Sequence, residues 1–326
     1  VLRSFVLDGS FQLPPLNEVA RKTARRYSVT EIKFVLLAGV SMTTLTACGG
    51  GGLALVGGGA VGASSLYHLA KAGWTDCVLL EKNELTAGST WHAAGNVPTF
   101  STSWSIMNMQ RYSTELYARL GEEVDYPMNY HQTGSLRLAH SEERLQEFKR
   151  AASMGKYQGM DIEILTPEEA KSLYPFLEIH DLAGALYDPN DGDIDPAQLT
   201  QALAKGARDL GAKILRFTPA IGVTQKNDKN WTIHTEKGDI NCQYVVNAAG
   251  YYAQQVGEWF KPYGGRTVPM MVMSHQYLLS EEIPEIENYV KKSGKKLPLL
   301  RLSLIHISEP TRRRGMSDAV FCLKKK

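Results

Sequence analysis

The chain is poor in the features that mark several function classes. Its four cysteines, Cys48, Cys77, Cys242 and Cys322, include no C-x-x-C pair and have no histidine partner at metal-binding spacing. That argues against a disulfide framework and a zinc site, and because Cys77 and Cys242 fall in strand-like apolar runs, a reducing compartment is expected. An excess of charge of one sign is also missing, since 36 Lys and Arg stand against 34 Asp and Glu for a formal net charge of +2. Basic residues cluster at Arg21 to Arg26, Lys291 to Lys296 and the C-terminal end, but without interleaved aromatics or a nucleic-acid motif. No nucleic-acid partner is therefore expected. The apolar run Phe34 to Leu45 is too short to span a bilayer as a helix, so a membrane partner is not expected either. The acidic turn Asp188 to Asp195 lacks the ligand order of a calcium loop and a Glu at its twelfth position, which leaves turn formation and helix capping as its work and no metal site.

What the chain does contain starts at Leu53. Leu53 to Val56 is a short apolar run, and Gly57-Gly58-Gly59-Ala60-Val61-Gly62 places the spacing G-x-G-x-x-G where strand should become helix. Ser64 to Ala72 then carries apolar residues at helical spacing, Gly73 stops the helix, and Cys77 to Leu80 reads as a strand closing in Glu81. In that frame Gly57 makes the tight turn, Gly59 lets backbone approach a pyrophosphate, and Gly62 lets the helix pack on the sheet. The pyrophosphate sits on the helix N-terminus, whose free N–H groups favour anions. Glu81 follows Gly62 by 19 residues (81 − 62), the separation of a carboxylate that accepts hydrogen bonds from an adenosine ribose. Strand, turn, helix and acid together point to a bound dinucleotide.

At 326 residues, with 43% hydrophobic and 21% charged composition, the chain has the length of about two globular domains. Residues 1–52 have no sustained periodicity. Lys33, the apolar run and Leu45-Thr46-Ala47-Cys48 resemble a bacterial lipoprotein leader ending at Cys48; because the strand begins only five residues after Cys48 (53 − 48), almost no tether is left and this leader is read as foreign to the fold. After Glu81 comes the small-residue loop Thr86 to Gly95, with Trp91 and His92. Ser103 begins a helix to about Leu120, with Ile106, Met109, Leu116 and Leu120 on one face. Gly134 to Leu138 alternates as a strand, Ser141 and Thr166 open further helices, and Ala197 to Leu210 is amphipathic. Lys213 to Phe217, Ile221 to Lys226, Trp231 to Thr235 and Ile240 to Val246 read as strands of a meander. Val245 to Gly250 ends a buried strand in Ala248-Ala249-Gly250, the shape of a sheet edge that meets a cofactor, and Val268 to Leu279 reads as a last long strand. From Leu302 the string LSLIHISEPTR resembles a translated sequencing-library adapter, so 302–326 are read as an artefactual tail with part of the fold missing beyond Arg301.

Taken together, VGGGAVGASSLYHLAKAGW, LLEKNELTAGSTWHAAGN, DPNDGDIDPAQL, VVNAAGYYA and VPMMVMSHQYLL resemble the dimethylglycine and sarcosine dehydrogenase branch of the D-amino-acid-oxidase-like flavoproteins, over about Leu53 to Arg301. The resemblance implies an α/β fold: a Rossmann-like, doubly wound lobe that binds FAD (53–133 and 186–260), interrupted by a substrate lobe with a mixed β-sheet (134–185 and 261–301). It implies FAD contacts from Gly57, Gly59, Gly62, Glu81, Lys82, Ser89, Thr90, His92, Ala249 and Gly250, with His92 as covalent attachment point. It also implies oxidation of the C–N bond of an N-methylated amino acid by hydride transfer to the flavin. An unspecified electron acceptor follows, and tetrahydrofolate in a longer protein only. Tyr277 and His275, two apart on one strand face, are the expected catalytic pair, Tyr277 orienting the substrate and His275 managing protons. Arg137 and Arg266 are candidates for the substrate carboxylate. The implied location is cytoplasmic in a bacterium and the mitochondrial matrix in a eukaryote. Two alternatives stay open: a non-catalytic FAD-binding remnant, and a relative acting on a free amino acid or hydroxy acid.

Overall fold

The computed structural model describes residues 52–101, 103–227, 230–273 and 281–302. They separate into two compact units, one formed by the described parts of Val1–Ala93, Leu120–Pro127 and Pro196–Val272, the other by those of Ala94–Arg119, Met128–Asp195 and Met273–Lys326. These bounds differ from the sequence expectation at 94–119, 128–133 and 186–195, which belong to the second unit, and at 261–272, which belong to the first. For the residues of the second unit the reason is local pairing: Asn96 and Val97 are bonded in register to Asp193 and Gly192, and Thr99 is bonded to Asp191.

The first unit is built on a four-stranded parallel sheet of β1 (Leu53–Val56), β2 (Cys77–Leu80), β9 (Lys213–Leu215) and β13 (Tyr244–Asn247) in the order β13-β1-β2-β9. Alternation along the strands gives the sheet two apolar faces. Ala54, Val56, Val78, Leu80 and Val245 pack with Val223, Ile233, Cys242 and Phe260, so this face is covered by the antiparallel meander of β10 (Ala220–Asn227), β11 (Asn230–Thr235) and β12 (Ile240–Cys242). Helices α1 (Ala60–Lys71) and α5 (Pro196–Asp209) pack on each other, α1 against β1 and β2 and α5 against β9. The expected single strand from Ile240 to Val246 is two strands. The chain exchanges an antiparallel partner, β11, for a parallel one, β1, on either side of Gln243.

The second unit holds a mixed sheet in the order β14-β5-β7-β6: β14 (Leu299–Leu302) runs parallel to β5 (Ser135–Ala139), while β7 (Gly184–Asp188) is antiparallel to β5 and to β6 (Glu163–Leu165). One face buries Ala139 and Leu186 under Leu145, Phe148, Ala151 and Ala152 of α3 (Glu142–Tyr157). The other buries Leu136, Leu138 and Ala185 under Ala170 of α4 (Pro167–Leu173) and under Leu177 and Leu182. Thr166 and Glu169 close α4 with a reciprocal capping box, and the Ser141 hydroxyl caps α3. A small antiparallel sheet joins β3 (Asn96–Val97), β8 (Gly192–Ile194) and β4 (Tyr130–His131).

Two further expectations are corrected. In α2 (Trp104–Glu123) Ile106 is 45% exposed and Met107 is fully buried, so the buried stripe runs through Met107, Leu116 and Leu120. Residues 268–273 form no strand; they follow a glycine pair, Gly264-Gly265, in irregular backbone.

Candidate functional site

Three segments of the first unit converge at the N-terminus of α1, and each is held there by backbone geometry. The turn Gly57 to Gly59 leaves β1 with the Gly57 N–H donating to the Leu80 carbonyl at 2.9 Å. Gly57 has φ of +117°, and a Cβ there would collide with the Ala248 carbonyl oxygen. A Cβ at Gly62 would collide with the Gly57 carbonyl oxygen, so the helix can approach its own turn only as glycine. The N-cap position, Gly59, has no side chain to cap the helix, and the first-turn N–H groups lack intrahelical partners by construction. That is the donor array an anionic diphosphate needs.

The second segment is the end of β2 and the loop after it. Glu81 Oε2 accepts the Gly58 N–H at 2.7 Å and Oε1 accepts the Asn83 N–H at 2.8 Å, which fixes the carboxylate against the glycine turn with lone pairs left on both oxygens for ribose hydroxyls. The loop then folds back: the Thr86 N–H donates to the Gly58 carbonyl at 3.1 Å, and Thr90 Oγ1 accepts the Ala60 N–H at 3.0 Å. Ser89 and His92 lie on its exposed side, where the His92 N–H donates to the Ser89 carbonyl at 3.2 Å and the imidazole Nδ1 stands 3.1 Å from the Gly88 carbonyl. A carbonyl only accepts, so Nδ1 carries the proton of this contact, and in the neutral imidazole the lone pair then falls on Nε2.

The third segment follows β13. Buried Asn247 shapes it, its amide donating to the Ala253 carbonyl at 2.7 Å and its Oδ1 accepting the Ala249 N–H at 3.3 Å. Gly250 turns the chain with φ of +58° into Tyr251 and Tyr252. Lys82 Nζ lies 3.5 Å from the ring centroid of Tyr252. Hydrogen bonding from Lys82 first, and then from Tyr251, holds the Tyr252 phenol below its ordinary range, and the Tyr252 bond raises that of Tyr251.

Gly57, Gly59, Gly62, Glu81, Lys82, Ser89, Thr90, His92, Ala249 and Gly250 thus all belong to this unit and lie on the three converging segments. His275 and Tyr277 lie outside the described residues. Asn247, Tyr251 and Tyr252 were not singled out by sequence reasoning; the only signal was a polar Asn ending an apolar strand and two adjacent aromatics after a small-residue turn. A surface pocket of about 510 Å³ lies elsewhere, lined by residues 214–218, 235 and 237–240; none of the candidate residues borders it, so the cradle is made by backbone groups and not by that cavity.

Of the two arginines, Arg266 is exposed in irregular backbone. Arg137, in the second unit, is mostly buried and stands 3.8 Å from Asp191, whose carboxylate also accepts from the Thr99 N–H and hydroxyl and the Ser135 hydroxyl at 2.5–2.7 Å. Burial first lowers the Arg137 pKa, while Asp191 opposes the shift. The Asp188 carboxyl beside them is pushed up to about 7, by burial first and then by the Asp191 charge. Among the described residues no group of three or more His, Cys, Asp or Glu is placed to hold a metal, and no helix is long and apolar enough to cross a membrane.

The chain is similar to mitochondrial dimethylglycine dehydrogenase of Rattus norvegicus, 41% identical over 247 residues, or 76% of this chain and 28% of that one. It is similar to mitochondrial sarcosine dehydrogenase of Homo sapiens, 37% identical over 240 residues, 72% of this chain and 26% of that one. The chain therefore spans little more than a quarter of the length of these two relatives. Among solved structures, L-proline dehydrogenase from P. horikoshii superimposes with a TM-score of 0.60 and 30% identity over 64% of this chain and 55% of that one. Residues 53–309 match the family described as FAD dependent oxidoreductase. The chain is a member of that FAD-dependent oxidoreductase family.

Proposed function

We propose that this chain is the FAD-binding part of an oxidoreductase that oxidises the C–N bond of an N-methylated amino acid of the dimethylglycine or sarcosine kind. The observation that carries this reading is the convergence of the glycine turn, Glu81 and the Ala248–Gly250 turn on the α1 N-terminus, because two glycine positions there have no room for a Cβ. The relatives support the substrate class. Dimethylglycine, sarcosine and proline are the compounds in their names, and all three are amino acids with a secondary or tertiary amine.

The residues present suit the cofactor. The α1 N-terminus and Gly59 take the diphosphate, Glu81 takes ribose hydroxyls, and the backbone of Ala249 and Gly250 lines the approach. Ser89 and Thr90 hold the loop that presents His92, whose Nε2 lone pair is free to form a covalent tie. When bound, FAD supplies the hydride acceptor. Tyr277 orients the substrate and His275 holds or moves the amine proton. An electron acceptor completes turnover, and tetrahydrofolate capture of the one-carbon unit is assigned to a longer protein. The proposed location is the mitochondrial matrix if the source is a eukaryote, the two named dehydrogenases being mitochondrial, and the cytoplasm if it is a bacterium.

One preparation tests both parts. Anaerobic dimethylglycine or sarcosine is expected to bleach the flavin absorbance, and acid precipitation is expected to leave the colour in the pellet for the wild type and in the supernatant for His92→Ala. No bleaching with either substrate rejects the substrate class; colour released from the wild type rejects the covalent tie.

A further inference from the structure

Tyr251 and Tyr252 are 43% and 39% exposed, two large rings left open to solvent on adjacent positions. They pack instead on each other, with centroids 4.4 Å apart at 40°, and Lys82 lies over the Tyr252 face. A Cβ at Gly88 would stand 3.9 Å from the Tyr251 ring edge, so Tyr251 borders the loop that carries Ser89 and Thr90. Lys82 directly follows Glu81, the carboxylate tied to the glycine turn, and the Glu81 charge is felt at the Tyr251 hydroxyl. Two open rings and one cation are thus held at the ribose end of the cradle. Diphosphate and ribose already have their partners in the α1 N-terminus and Glu81. What has none is the base, a flat neutral π-system that gains from stacking on an aromatic face.

We propose that Tyr251, Tyr252 and Lys82 form the adenine wall of the dinucleotide site: the tyrosine pair stacks on the base, and Lys82, held by the Tyr252 ring, keeps its charge beside the ribose and diphosphate. The inference rests on the FAD reading above and adds to it which residues recognise the adenosine half. It assigns the two tyrosines to binding and makes the affinity for adenosine diphosphate separable from the chemistry of the flavin ring.

Titration of the full 326-residue chain with 1,N6-etheno-ADP, a fluorescent stand-in for the adenosine half, reads the stack directly. Tyr251→Leu and Tyr252→Leu are each expected to weaken binding about tenfold and to remove the change in etheno-adenine emission at saturation. Tyr252→Phe keeps the ring and is expected to stay within about twofold of wild type, an outcome a merely structural phenol contact does not produce. Unchanged affinity and emission in both leucine variants overturn the inference. Wild type that binds neither etheno-ADP nor FAD overturns the dinucleotide reading and this one with it. Wild type that binds, with Glu81→Ala weakened and both leucine variants unaffected, overturns this inference alone. Thermal melts accompany each variant; if Tyr252→Leu does not fold, Tyr251→Leu and Lys82→Met, on exposed side chains, decide the outcome by the same emission readout.

Discussion

Asp188 shows how far one residue's role depends on its surroundings. It ends β7 fully buried, its Oδ1 accepts the Asn190 N–H at 3.0 Å, and its Oδ2 has no hydrogen-bond partner among the described residues. With Asp191 beside it, the native state favours the protonated acid, whose pKa rises from 3.8 to about 7. Between roughly pH 4 and pH 7 the native chain therefore keeps a proton that the unfolded chain has lost, and stability falls as pH rises through that window. Above the native pKa the cost of the buried charge is fully present. Asp188→Asn keeps the shape and can donate its amide to Asp191. It is expected to be more stable than wild type at pH 8, by on the order of 1–3 kcal/mol, with a flatter pH dependence between pH 4 and 7. Chemical denaturation at pH 5 and pH 8 checks this; a variant with the wild-type slope would show that Asp188 is ionised in the native state. The sequence gives the Asp-Pro-Asn-Asp turn but not this environment, because turn chemistry fixes the backbone and says nothing of what covers it. Glu81 is the converse case: its spacing from the glycines was readable, while its bond to the Gly58 N–H needed coordinates.

At the scale of elements, the stretch from β1 through α1 to β2 was legible because each signal has one physical cause. Glycines fall where backbone must approach backbone, and apolar residues recur with the period of the element. Gly62 carries the strongest constraint. A Cβ there meets the Gly57 carbonyl oxygen, a backbone atom that cannot rotate away, so Gly62→Ala is expected to push α1 off the turn at a cost of about 3 kcal/mol. Gly222 in β10 has nothing within 4 Å of a built Cβ, and Gly222→Ala is the control, expected to change stability by less than about 1 kcal/mol. Equal denaturant midpoints for the two variants would show that helix and turn do not meet closely. Other elements were less legible for reasons of context. Apolar residues flank Gln243 on both sides, so local pattern could not reveal that β12 and β13 pair with different partners in opposite senses. Ile106 and Met107 are adjacent and both apolar, and tertiary packing alone decides that the methionine is the buried one.

For the whole molecule, the question a ligand answers is which concave surface of the first unit receives it. The cradle at the α1 N-terminus offers backbone donors, Glu81 and the tyrosine pair, whereas the pocket of about 510 Å³ offers Arg216, Phe217, Lys237 and Asp239 between β9 and the meander turn. Both contain a cation and an aromatic, but only the cradle has a helix N-terminus, whose first-turn N–H groups lack intrahelical partners, and glycines that leave room for a diphosphate. Arg216 in the pocket is also engaged by Glu84 at 2.6 Å. Hydrogen exchange with ADP present at about a hundred times its dissociation constant, which adds roughly 2.7 kcal/mol to the bound form, separates the two. The largest slowing is expected at 57–62, 81–92 and 247–252, with smaller changes at 214–218 and 235–240. Protection centred on those last two stretches would move the nucleotide to the pocket and leave the glycine turn a purely structural corner, since only amides that close on a ligand are slowed beyond the general gain in stability.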